Sequence, residues 1–181
     1  FLLSPAICID RIYTVHYFEY MNDFFFPGER HDFWEFLCVD KGEAVVTAGE
    51  NTFTLKKDEI IFHQPDEFHS VKANGETAPN LVVVSFSCDS PNMDFFRSKT
   101  LRIGETERSL IASILSEAGR SFTTPLDDPY TKKMELSENA PFGSLPMIQL
   151  YLEPLLIRPI RQTGMPSGHK PRADGDVFDP L

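Results

Sequence analysis

The chain has 181 residues, 41% of them hydrophobic, with 27 acidic against 17 basic side chains and a formal charge of −10. That length can bury one sizeable core with a helical annex. Charges or prolines interrupt every apolar run before it reaches membrane-spanning length, and the acidic balance repels phosphate backbones, which excludes a basic nucleic-acid-binding surface.

The first two-thirds read as β. Segments 7–12 and 13–20 alternate and are rich in β-branched and aromatic residues. Segment 23–29 carries Phe24, Phe25 and Phe26, an apolar lid or a core-filling edge, and ends on the turn signal Pro27-Gly28. A strand is predicted over 33–40, stopping at Lys41-Gly42. Segments 43–48 and 52–55 flank Gly49-Glu50-Asn51, which is hairpin chemistry. Lys57-Asp58 turns into the buried run 59–62. Pro65-Asp66 turns again before 68–73, and Asn74-Gly75 opens a loop ahead of 80–88, the most hydrophobic strand. Many short strands with closely spaced turns predict a sandwich or barrel.

After Pro91 the pattern changes. A short helix over 92–96 and a last strand over 100–103 precede a helix predicted over 105–118, with Thr106 as its cap and Gly119 as its stop. Its apolar stripe is Leu110, Ile111, Ile114, Leu115 and Ala118. Segment 122–129 is a polar connection. A second helix, capped by Ser144, carries Leu145, Ile148, Leu152, Leu155, Leu156 and Ile160, but Pro154 and Pro159 interrupt it. An interior proline costs about 3 kcal/mol, which predicts a kink or an end near Glu153. From Gly164 the Gly, Pro and Asp content reads as linker or disordered tail.

Strand parity organises the candidate site. In 33–40, Phe33, Glu35, Leu37 and Val39 share one face, and Trp34, Phe36, Cys38 and Asp40 the other. His31 shares the parity of Glu35, so both project into one interior that His69 can reach. Such inward polar groups line a small-molecule pocket, hold a metal, or satisfy one another as a buried His–Glu pair. Trp34 has the opposite parity and packs between barrel and helix, unless the barrel twist turns it inward as a stacking platform. His63 reads as a turn residue, and His16 lies either outside or in the lining. Cys8, Cys38 and Cys88 fit neither a disulfide framework nor a metal knuckle. They read as buried strand residues in a reducing cytosol. Neither a nucleophile elbow nor a phosphate loop appears, so no catalytic residue is assigned.

The pattern His31-x-x-x-Glu35-x6-Gly42 resembles the second half of the first cupin motif, and Pro65-x-x-x-His69 resembles the second. Glu29 stands at the position of the first motif's leading histidine, and Asp66 where the second usually has glycine. The run from Phe33 to Gly42, then Lys57 to Phe62, Glu67 to His69 and Pro79 to Phe86, is similar to the N-terminal sensor domain of AraC/XylS-type transcription regulators.

The resemblance implies a mainly β, cupin-like jelly-roll barrel over 1–103, two helices for packing or dimerisation over 104–162, and a linker or tail over 163–181. It implies a bacterial, cytoplasmic, homodimeric regulator rather than an enzyme. A small polar effector, sugar-like or a small acid, would bind at Glu29, His31, Trp34, Glu35 and His69. No cofactor and no membrane are implied, and DNA would be met only through a C-terminal helix-turn-helix region, so the chain reads as a fragment. The alternative is a metal-dependent cupin isomerase or dioxygenase using His31, Glu35 and His69. Glu29 in place of a histidine ligand weighs against it.

Overall fold

The computed structural model describes residues 4–164. Among them, strands β1 (Arg11–Glu19), β2 (Phe25–Glu29), β3 (Trp34–Lys41), β4 (Glu43–Ala48), β5 (Asn51–Lys56), β6 (Glu59–His63), β7 (His69–Ala73), β8 (Asn80–Ser87) and β9 (Thr100–Arg102) precede helices α1 (Glu105–Ser121) and α2 (Ser144–Gln162). The strands form two antiparallel sheets, ordered β1-β8-β3-β6-β9 and β2-β7-β4-β5. A 3-10 turn, Pro91–Phe96, links β8 to β9.

Alternation along the central strands splits the interior into two layers. Leu37 and Val39 of β3 meet Leu81 and Val83 of β8 and Ala44 and Val46 of β4 between the sheets. Trp34, Phe36 and Cys38, with Val82, Val84 and Phe86, face the other way, onto Ile111 and Ile114 of α1 and Ile148 and Leu152 of α2. Strand β8 is thus buried on both faces, and an uninterrupted apolar run is what that position requires. Each fully buried Phe or Leu contributes about 1.5–3 kcal/mol by leaving water. The second sheet covers only its inner face, and β4 alternates accordingly.

Several boundaries differ from the sequence expectation. Segments 7–12 and 13–20 become the single strand β1, with a register shift between Ile12 and Thr14. Ile7 and Ile9 precede it and are buried in the outer layer. Cys8 between them is exposed, while Cys38 and Cys88 are buried, and all three are free thiols. Pro27-Gly28 lies inside β2, which shifts register between Phe26 and Glu29. Helix α1 starts one residue before Thr106, because Glu107 Oε2 accepts the backbone N–H of Gly104 at 2.9 Å. It runs through Gly119 to Ser121.

Helix α2 continues through both prolines. Ile148, Leu152, Leu155 and Leu156 are almost entirely buried, and their burial outweighs the lost backbone bonds. The carbonyl that Pro154 leaves without a donor belongs to Leu150, which is exposed to water. The tail reading over 163–181 lies, beyond Gly164, outside the described residues. No helix among the described residues is long and apolar enough to cross a membrane.

Candidate functional site

The site forms at one end of the barrel, where β2 and β7 of one sheet face β3, β6 and β8 of the other. Glu29 closes β2 opposite His69, the first residue of β7. Gly28 makes that approach possible: at φ +111° it sits where a Cβ would lie 2.6 Å from the His69 carbonyl oxygen. Glu29 Oε1 thereby comes within 4.0 Å of His69 Nε2.

Glu35 is the second residue of β3, paired with His63 on one side and Ser85 on the other. Ser85 Oγ donates to Glu35 Oε2 at 2.7 Å, and Thr14 Oγ1 donates to Ser85 Oγ at 2.9 Å. This hydroxyl chain holds the carboxylate in place with charge-assisted bonding. His31 sits in the turn before β3, its ring stacked on Phe33 with centroids 3.9 Å apart. Its Nε2 lies 3.6 Å from Glu35 Oε2, and His69 Nε2 lies 3.5 Å from Glu35 Oε1.

A third imidazole, His63, ends β6 and stacks on His69 with centroids 4.3 Å apart, its Nδ1 3.5 Å from Glu67 Oε2. Burial drives the His63 pKa down, so this ring is neutral. Burial pushes Glu35 upward, but the facing imidazoles of His31 and His69 more than reverse this and hold it well below the ordinary carboxylate range. Burial likewise lowers His69, and the Glu35 carboxylate overrides it to leave the net shift upward. Glu29, His31, Glu35 and His69 each offer one donor atom, and these atoms lie within 4.8 Å of one another.

The cluster forms the polar wall of a cavity of about 440 Å³. Phe18, Tyr20, Phe26, Leu37, Leu81 and Val83 supply an apolar wall, and Arg30 and Lys132 contribute cations. Residues 129–132 of the α1–α2 connection complete the lining. That connection is fastened to β1 by the Tyr17 N–H, which donates to the Leu126 carbonyl at 2.9 Å. His16 Nδ1 lies 3.2 Å from the same oxygen. Tyr130 at its tip is exposed and stands 6.5 Å from Phe26, where the cavity meets solvent.

The structure brings Glu29, His31, Glu35 and His69 together and removes Trp34 from the set. Trp34 is buried in the outer layer, with the Arg97 guanidinium 5.4 Å from its ring centroid, because its strand parity opposes that of Glu35. Phe26 joins the cavity wall, whereas Phe25 points to solvent. His16 belongs to the lining. His63 is no turn residue: it shares the inward parity of Ile61 on β6. Ser85, a polar residue in the most apolar strand, carried the same kind of signal. The contribution of residues 129–132 had none.

The family description AraC-like ligand binding domain matches residues 12–97. Over those residues the chain is similar to that family. A crystal structure of apo ToxT K231A from Vibrio cholerae shares its fold at TM-score 0.51 and 8% identity, over 87% of this chain and 59% of that one. The cupin domain of Schizosaccharomyces pombe Cnp3 aligns at TM-score 0.41 and 19% identity, over 52% of this chain and 62% of its own. An rmlc-like cupin family protein from Methanocaldococcus jannaschii aligns at TM-score 0.40 and 12% identity, over 45% of this chain and 78% of its own. The chain thus spans about three fifths of the first two of these structures. No protein with a curated description matches it. The described residues are mainly β, two antiparallel sheets with two long helices packed on one of them.

Proposed function

We propose that the protein is the effector-sensing, dimerising part of a bacterial AraC-type transcription regulator, without catalytic activity, and that its barrel cavity takes a small acid. The single observation behind this reading is the 440 Å³ cavity, lined by imidazoles, carboxylates and the basic residues Arg30 and Lys132 together with aromatic and aliphatic side chains. Arg30 and Lys132 favour an acid over a sugar, and the apolar wall favours one with a hydrocarbon or aromatic body.

The α1–α2 connection supplies a route outward. Because residues 129–132 line the cavity, a ligand touching Tyr130 or Lys132 acts directly on the segment that joins the two helices. Differential contact of this kind shifts a conformational population and biases an attached helix-turn-helix region.

Thermal unfolding of residues 1–181 against a panel of aliphatic and aromatic carboxylic acids and sugars tests the reading. A true effector at a hundredfold excess over its Kd stabilises by about 2.7 kcal/mol. Val83→Phe, which fills the apolar wall, is expected to abolish that gain while leaving the ligand-free protein folded. Turnover of a bound compound, or a panel in which no acid raises Tm, sinks the sensor proposal.

A further inference from the structure

We propose that Cys8 and Cys88 form a reversible disulfide when the protein meets a peroxide, fastening the segment before β1 to the end of β8. The proposal goes beyond the sensor reading and does not require it.

Residues 6–10 run beside residues 87–92, where the chain leaves β8. The Asp10 N–H donates to the Ser87 carbonyl at 3.0 Å. At the other end the Ala6 carbonyl accepts from Ser90 Oγ and from Asn92 Nδ2, both at 2.7 Å. Cys8 lies midway between Ala6 and Asp10, and Cys88 lies between Ser87 and Ser90, which hold them. Anchors on both sides of the pair keep the two cysteines beside each other. A disulfide asks for Cα atoms about 4.4–6.8 Å apart, which is the spacing of neighbours on paired segments. The thiols also act on each other. Burial pushes the Cys88 thiol up and the Cys8 thiol adds to the rise, against the pull of the Ser90 and Cys8 backbone N–H groups.

Exposure assigns the roles. Cys8 is open to solvent, whereas Cys88 is 6% exposed. The Cys8 thiolate attacks one peroxide oxygen and the O–O bond breaks. The departing hydroxide takes a proton and leaves as water, and Cys8 becomes a sulfenic acid. The Cys88 sulfur then attacks the Cys8 sulfur, the S–O bond breaks, and the Cys88 proton leaves with the oxygen as a second water. Both sulfurs are oxidised, and one peroxide is reduced to two waters. Cys38 takes no part, since it sits within β3 between Ile60 and Val82.

The crosslink bears on the helices. Ile7 and Ile9, on either side of Cys8, are buried in the outer layer beneath α1 and α2. The Ile9 N–H donates to Glu153 Oε1 of α2 at 3.1 Å. The disulfide therefore locks a segment that touches both the five-stranded sheet and α2.

The test treats reduced residues 1–181 with a small excess of hydrogen peroxide. Thiol titration of the denatured protein should fall from three thiols per chain to one. Peptide mapping should show Cys8 joined to Cys88 within one chain, with Cys38 still reduced. Tm should rise on oxidation and return with dithiothreitol, because a crosslink restricts the unfolded chain. Cys8→Ser, at an exposed position, should fold, keep its two remaining thiols and lose the response of Tm to peroxide. Three thiols unchanged, Cys8 ending as a sulfinic acid or joined to a second chain, or a crosslink that leaves Tm where it was overturns the proposal.

Discussion

Glu35 and Trp34 are chain neighbours with opposite fates. A strand's two-residue period sends Glu35 into the cavity wall and Trp34 under the helices. The same rule places His63 beside the cluster, but a strand one residue longer than expected was needed to bring it there. Gly28 is the residue on which the geometry turns. In Gly28→Ala the new methyl would meet the His69 carbonyl and the Phe68 ring, both at 2.6 Å, in a backbone conformation that side chains rarely adopt. We expect a loss of about 1–3 kcal/mol in urea unfolding, together with weaker ligand binding because Glu29 is pushed away from His69. Unchanged stability would mean that β2 can slide outward freely.

At the scale of elements, helices α1 and α2 are held by a half-buried ion pair, Glu107 with Arg158, as well as by their apolar stripes. Arg158 Nε donates to Glu107 Oε1 at 2.6 Å while the Gly104 N–H bonds the other oxygen. Burial raises the Glu107 pKa, but these hydrogen bonds and the Arg158 charge more than offset it, leaving it below the ordinary 4.5. A carboxyl depressed in the folded state stabilises above its unfolded value and loses that contribution as pH falls through its folded one. Glu107→Gln should therefore be less stable than the parent near neutral pH by about 1–2 kcal/mol, since Arg158 is partly solvated. The two urea midpoints should converge as pH drops well below 4.5. Parallel curves would show that the charge contributes nothing. The prolines of α2 belong to this scale too. Propensity argued for an ending near Glu153, and the burial of Leu152, Leu155 and Leu156 carried the helix onward.

Across the whole molecule, the formal charge of −10 makes residues 1–181 a poor partner for DNA. Gel-shift titration at physiological salt should show no complex, and a specific complex there would contradict the assignment of DNA contact to a separate region. The barrel's short strands, their alternating faces, the shared parity of His31 and Glu35 and the opposite one of Trp34 could be read from local period and turn chemistry. Those features depend on neighbours along the chain. Closure of the two sheets was another matter. It set His69 of β7 against Glu35 of β3 and laid residues 129–132 against the cavity. Each of these contacts joins segments far apart in sequence, and their distances depend on how sheets and helices pack, which no local pattern encodes.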